Sequence, residues 1–176
     1  MSVFRLFSLV LVLVHLEALS QDCRVRLDSS DTFSGERYII VDGPPLGLFP
    51  RYSFLAEHQL LFLRITWAVP GEPHAVALMG DPLLLKLTNG RVLDLRVDQT
   101  ATSTITGMDK GEQHALITFD VPLQRSDIEA LSAHWVARLR MHFTTGGIQD
   151  LDTGTMSVWP MDLTHTAKCF LEQLGR

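Results

Sequence analysis

The sequence lacks the motifs that mark most enzyme classes. Its 176 residues contain no Gly-x-Ser-x-Gly elbow, no phosphate-binding Gly-rich loop and no dinucleotide fingerprint. His-x-His and His-Glu-x-x-His are also missing, which removes two familiar zinc patterns. We therefore expect neither a cofactor nor a metal. The sequence favours a protein without enzymatic activity, although scattered residues could still assemble a Ser-His-Asp site in the fold.

Excess charge is missing as well. The net charge is −5 at pH 7, and no run of like charges occurs. Nucleic-acid binders are normally basic, and docking on anionic lipid also needs a basic segment. The charge argues against both classes of partner. We expect an unknown protein or an anionic small ligand as partner.

Long hydrophobic runs are confined to the N-terminus. Arg5 precedes LFSLVLVLVHL, and the small residues Ala18 and Ser20 follow. This run is too short to span a bilayer, which needs about 20 residues, but the whole pattern is typical of a secretory signal. We predict a signal peptide over residues 1–20, cleaved near Ser20, and one β-rich domain over residues 21–176. The mature protein is then secreted or periplasmic, without a transmembrane segment.

Cysteine is rare, and its two positions are informative. Cys23 and Cys169 lie near the two ends of the predicted mature chain. Chain termini often lie close together, and an oxidising compartment favours a disulfide between a single pair. The alternatives are two unpaired thiols, or lipid attached to Cys23. Gln21 and Asp22 fit poorly before a lipidated cysteine, which argues against an anchor.

Apolar residues recur at every second position in three stretches, 59–69, 115–121 and 136–144. This period is typical of strands that bury one face. The predicted inward residues are Leu61, Leu63, Ile65, Trp67, Val69, Ile117, Phe119, Val121, Ala137, Leu139, Met141 and Phe143. They favour an α+β, mainly β fold: an antiparallel β-sandwich or a strongly curved sheet.

The stretch LLLKLTNGRVLDLRV reads as a hairpin around Asn89-Gly90. A two-residue turn would pair apolar with charged side chains on both faces. A three-residue loop with Gly90 in the left-handed conformation pairs Leu85 with Leu93 and Leu83 with Leu95. Because a one-residue slip turns a strand inside out, burial favours the three-residue loop.

Two helices are predicted. The first covers about 126–135, capped by Ser126 with Glu129, with a stripe that includes Leu131 and Trp135. The second covers about 161–174 and carries an apolar stripe at helical spacing. The stripe of the second helix is Leu163, Ala167, Phe170 and Leu174. We expect Trp67 and Trp135 in the core rather than on a sugar-stacking platform.

The most interesting polar set is Arg138, Arg140 and His142. They share one face of one predicted strand at a spacing of about 6.6 Å. Such a row can receive a carboxylate, a phosphate or a sulfated sugar. The alternative is a solvated face whose cations pair with acidic side chains on a neighbouring strand.

Weaker patterns lie near the C-terminus. Asp152-Thr153-Gly154 matches the aspartic protease triplet, but that chemistry needs two such carboxylates, so a polar turn is favoured. Asp150 and Asp152 lack the remaining ligands of a calcium loop. His165 and Cys169 have the spacing of two metal ligands on a helix, but the pair is incomplete, and a disulfide at Cys169 would exclude it.

Residues from about 75 to 176 resemble small secreted proteins of Bacteroidota-type bacteria. The resemblance rests on the hairpin PLLLKLTNGRVLDLRV and on ITFDVPLQRSDIEALSAHWVARLRMHFTTGG. It implies export and an α+β fold, and it implies no activity and no site residue.

Three functions remain open from the sequence. The first is an exported, non-enzymatic binding or interaction domain that uses the Arg138, Arg140 and His142 face. The second is a small extracytoplasmic hydrolase, which a pocket lined by carboxylates and histidine would favour. The third is an envelope-associated structural protein whose exposed sheet edge pairs with another chain.

Overall fold

The computed structural model describes residues 23–43, 50–70, 74–109, 112–145, 147–152 and 159–176. The predicted signal peptide lies outside the described residues. The strands are β1 Val25–Ser30, β2 Arg37–Asp42, β3 Arg51–Glu57, β4 Leu60–Pro70, β5 Val76–Ala77, β6 Pro82–Leu87, β7 Val92–Arg96, β8 Ala101–Thr102, β9 Thr104–Asp109, β10 Glu112–Leu123, β11 Val136–Phe143 and β12 Gly147–Asp152. The helices are α1 Arg125–Ala133 and α2 Trp159–Leu174.

The described strands form antiparallel sheets. One sheet has six strands in the order β1-β2-β3-β4-β10-β9, and a second has four in the order β12-β11-β6-β7. A small third sheet pairs β5 with β8. Every pairing is antiparallel. The predicted mainly β fold with one short and one C-terminal helix is confirmed.

The core forms where the inner faces of the two larger sheets meet. Trp67 of β4 lies edge-on to Phe143 of β11, with ring centroids 6.0 Å apart. Phe119 of β10 contacts the same ring at 6.3 Å. Buried residues of both sheets belong to one hydrophobic cluster. The period of two in the sequence therefore identified inner faces correctly, including that of Trp67.

The prediction that Ala137 faces inward is wrong. Val136 is 1% exposed, whereas Ala137 is only half-buried. The pairing of β11 with β6 shifts between Val136 and Arg138. A bulge inserts one residue into a strand and reverses the alternation on one side of it. From Arg138 onward, β11 has the predicted register.

The β6–β7 hairpin has the predicted three-residue loop. Leu83 pairs with Leu95, and Leu85 pairs with Leu93. The Leu87 amide donates to the Arg91 carbonyl at 2.8 Å, which closes the loop. Gly90 has a φ of 87°, in the left-handed region. Burial of the leucines thus determines the loop length.

Helix α1 begins earlier than predicted. β10 runs to Leu123, so Gln124 is the N-cap rather than Ser126, and its amide donates to the Asp127 carboxylate at 3.0 Å. The helix ends at Ala133. Trp135 follows the helix and is 50% exposed. Its prediction as a core residue is wrong because it lies beyond the helical stripe.

Helix α2 packs on the part of the core formed by β2 and β3. Leu163, Ala167 and Phe170 are buried, and the Phe170 ring stacks on Phe54 at 5.4 Å. Cys169, also buried on this helix, forms a disulfide with Cys23. The stripe and the disulfide are confirmed, and the disulfide indicates an extracytoplasmic protein.

Candidate anion-binding site

The outer face of the four-stranded sheet presents the cations of β11. Leu139 and Met141 are fully buried on the inner face of this strand. Side chains alternate between the faces of a strand, so Arg138 and Arg140 project outward as the sequence predicts. Their positions are set by the burial of the residues between them.

On one side, these arginines meet the acidic strand β12. Arg140 lies opposite Asp150 and donates two hydrogen bonds to its carboxylate, both 2.6 Å long. These bonds lower the pKa of Asp150 and raise that of Arg140. Arg138 makes a single, longer bond to Asp152 at 3.3 Å. The predicted alternative, pairing with acidic neighbours, is therefore present, and it is weaker at Arg138.

On the other side, Arg138 meets a like charge. It lies directly opposite Lys86 of β6 in the ladder. Lys86 is exposed and, among the described residues, takes part in no ion pair. Like charges directly opposite each other destabilise a sheet. The position of Lys86, a cation without an ion pair beside the cation Arg138, is thus a feature that fold stability does not explain.

A cleft of about 210 Å³ lies over this pair of cations. Its lining is Leu84, Lys86, Val92, Arg138 and Arg140. Leu84 is half-buried, and Val92 is 52% exposed. The cleft therefore joins two cations without bidentate pairing, Lys86 and Arg138, to a small apolar surface, while Arg140 at its side is already engaged by Asp150.

His142 lies apart from this cleft. It faces Ile148 of β12, which is 58% exposed, and it is not part of the cleft lining. Of the three residues proposed from sequence, the structure brings Arg138 and Arg140 together. Lys86, and not His142, lies beside them in the lining of the cleft.

Sequence reasoning missed Lys86 for a topological reason. The hairpin register already directs Lys86 outward, because Leu85 and Leu87 on either side of it are buried. Only the pairing of β6 with β11, which are about 50 residues apart in the chain, puts it next to Arg138. No local pattern carries that information.

Two other clefts have cations that are already engaged. In a cleft of about 310 Å³, Arg64 donates two bonds of 2.7 Å to Asp120. In a cleft of about 420 Å³, Arg37 bonds both carboxylate oxygens of Asp28 at 2.8 and 2.6 Å. Bidentate pairing uses the guanidinium edge that would hold a ligand. These clefts are weaker candidates for anion binding.

Among the described residues, a chain of three side chains resembles a catalytic relay: the exposed His58 contacts the half-buried Glu36 and Tyr38. His58 contacts the Glu36 carboxylate through Nδ1, and its Nε2 lies 3.1 Å from the Tyr38 hydroxyl. Partial desolvation and then the charge of Glu36 raise the pKa of Tyr38. A raised pKa makes a phenolate nucleophile less available, so these contacts do not favour Tyr38 as a nucleophile.

The remaining sequence candidates have structural partners. Asp150 and Asp152 pair with the arginines of β11, and residues 153–158 lie outside the described residues. Cys169 is bonded to Cys23, so the pair His165 and Cys169 cannot hold a metal in this oxidised form. Within the described ranges, no helix is long and apolar enough to cross a membrane.

No family model matches this chain, and comparisons with curated proteins and with solved structures gave no significant match. Any inference about function therefore depends on the sequence and structure of this chain.

Proposed function

We propose that the protein is an exported, non-enzymatic binding domain that holds an anionic ligand with a short apolar group. The ligand occupies the cleft formed by Leu84, Lys86, Val92, Arg138 and Arg140. Its anionic end lies between Lys86 and Arg138, and its apolar end lies against Leu84 and Val92. The observation that carries the proposal is the direct opposition of Lys86 and Arg138 across the ladder.

The electrostatics support an anion at this position. Two cations that face each other gain more from a shared anion than either gains alone, and hydrogen bonds between charged groups are about twice as strong as neutral ones. Arg138 is also less engaged than Arg140, with one bond of 3.3 Å against two of 2.6 Å. An incoming anion therefore displaces little existing pairing.

The size of the cleft supports a small ligand. Its volume of about 210 Å³ is below the roughly 300–1,000 Å³ of drug-sized sites. An alkyl phosphate with a short chain matches both the charge and the apolar floor. The ligand class is therefore a small amphipathic anion.

Export through a cleaved signal is part of the same proposal. The N-terminal pattern motivates it, and the Cys23–Cys169 disulfide agrees with an oxidising compartment. The intact mass of the protein recovered outside the cytoplasm, measured without reductant, should correspond to a chain beginning near Gln21. A mass that includes residues 1–20 contradicts the cleavage.

Butyl phosphate is a suitable probe of the cleft. Titration followed by NMR should shift the amides of residues 84–86, 92 and 138–140, and inorganic phosphate should bind more weakly because it lacks the apolar group. Lys86→Gln should weaken butyl phosphate binding by about tenfold, the effect of losing about 1.4 kcal/mol from one charged hydrogen bond.

Lys168→Gln is the matched control, since it removes an exposed lysine charge on α2. It should leave the affinity unchanged. Equal affinity in Lys86→Gln and the wild type contradicts the proposal, as do shifts that map to another face. If butanol binds as tightly as butyl phosphate, apolar contact alone accounts for the binding, and the anion site is contradicted.

A further inference from the structure

A second group of side chains lies where the N-terminal part of the described chain meets α2. The disulfide joins Cys23, just before β1, to Cys169 on this helix. The imidazole of His165 lies one helical turn before Cys169, with its Nε2 3.6 Å from the Cys169 sulfur. The ligand atoms of all three residues lie within 4.8 Å of one another.

Two of the three ligand atoms, those of His165 and Cys169, already have a separation found in zinc sites. Zn–S and Zn–N bonds of about 2.3 and 2.0–2.1 Å place two ligands of one tetrahedral ion about 3.6–3.8 Å apart. The His165–Cys169 separation of 3.6 Å falls in that range. The spacing of three residues between His165 and Cys169 puts both on one face of the helix.

We propose that reduction of the disulfide converts these residues into a Cys₂His site for a soft divalent cation such as Zn²⁺. An external dithiol supplies two electrons and two protons, becomes a disulfide itself, and leaves thiols at Cys23 and Cys169. Zn²⁺ then replaces the two thiol protons, His165 binds through Nε2, and water takes the fourth position. Disulfide and metal exclude each other because both use the same two sulfur atoms.

The surroundings allow a cation to enter. Cys23 and His165 are half-buried, so the site is partly accessible to solvent. Cys169 is buried and held by α2, which packs on β2 and β3. One sulfur and the imidazole are thus fixed on a helix, while Cys23 lies before an exposed edge strand and can move as the sulfur atoms separate.

Cobalt(II) titration of the full chain tests the site directly. The chain is reduced with a phosphine, freed of reductant under argon and titrated with Co²⁺, then with Zn²⁺ in competition. We expect a thiolate-to-cobalt charge-transfer band and tetrahedral d–d bands in the reduced chain, and neither band in the oxidised chain. His165→Gln should weaken cation binding by at least about tenfold. Losing a residue that only supports a metal ligand already costs about 10–100-fold in affinity, and His165 is proposed as a direct ligand.

His74→Gln is the control because His74 is an exposed histidine on the connection between β4 and β5. It should leave the titration unchanged. If the reduced chain unfolds, as circular dichroism would show, Zn²⁺ should refold it. A reduced chain that binds no cobalt, that stays unfolded with Zn²⁺, or that binds equally well without His165 overturns the site. None of these outcomes bears on the anion cleft, which is tested separately in the oxidised protein.

Discussion

At the scale of the residue, Lys86 shows a conflict between stability and the proposed function. Its neighbours Leu85 and Leu87 are buried, so the side chain must point outward. The sheet then places it opposite Arg138. A polar neutral residue would occupy this position without repulsion, and strands tolerate many residue types on an exposed face. A cation at this position is consistent with a site that binds anions.

Lys86→Gln should therefore stabilise the fold slightly while it weakens ligand binding. Removing one of two opposed cations is expected to raise the free energy of unfolding by up to about 0.5 kcal/mol. Urea denaturation in low salt measures the change. Salt should stabilise the wild type more than the variant, because counterions screen the repulsion between exposed charges.

The control variant Lys168→Gln should stay within about 0.5 kcal/mol of the wild type at every salt concentration. A loss of more than 1 kcal/mol in Lys86→Gln would contradict the repulsion. It would indicate instead that the aliphatic part of Lys86 stabilises the sheet by packing.

At the scale of the element, the alternation of apolar residues predicted the strands better than the capping signal predicted the start of α1. Alternation predicted β4, β10 and β11, and burial of paired leucines predicted the loop of the β6–β7 hairpin. The cap of α1 was misplaced, because Ser126 with Glu129 matches the sequence signature but β10 extends to Leu123. Glu129 pairs with Arg125 on the helix surface instead. The end of a strand is set by its partner strand, which a local motif cannot show.

Some residues of the candidate site could likewise be predicted from local pattern, and others could not. Arg138 and Arg140 were identified because their orientation depends only on the alternation within β11. Lys86 and the acidic partners on β12 depend on which strands pair, and this is a property of the whole sheet. The bulge at the start of β11 is likewise absent from the local pattern.

The hairpin loop provides the test at this scale. Gly90 has a positive φ, and a Cβ added there would meet no atom within 4 Å. Gly90→Ala should therefore lose about 1–2 kcal/mol through backbone conformation alone. Gly90→Asn should lose less, because Asn tolerates the left-handed region. Thermal or urea unfolding should show that the wild type is the most stable of the three proteins, followed by Gly90→Asn and then Gly90→Ala.

Gly175→Ala serves as the comparison, since the nearest atom to its added Cβ is a carbonyl oxygen at 3.6 Å and its φ lies outside the left-handed range. It should be close to neutral. Equal stability of Gly90→Ala and the wild type would mean that the loop does not require a residue in the left-handed conformation, which contradicts the prediction.

At the scale of the whole molecule, the disulfide joins the start of an exposed edge strand to a helix that packs in the core. All six residues of β1 are exposed, and apart from the disulfide this strand is held by its ladder with β2 and by ion pairs such as Arg37–Asp28. Cys169, by contrast, lies in the core cluster. The bond thus fixes an edge strand that buries little apolar surface to a helix that buries much.

Removing the bond should therefore have a global and a local effect. The cysteines are 146 residues apart, and closing a loop of this length restricts the unfolded chain by up to about 5 kcal/mol in the entropy model. The variant Cys23→Ala with Cys169→Ala should lose a large part of this free energy of unfolding. Hydrogen exchange should show β1 losing protection first, while β4 and β10 keep theirs until global unfolding.

The reduced wild type keeps both sulfur atoms, so it separates the effect of the cross-link from the effect of side-chain volume. If the reduced protein in metal-free buffer matches the oxidised protein in stability and in the protection of β1, the edge strand is held by its ladder alone, and the disulfide has no structural role at this junction.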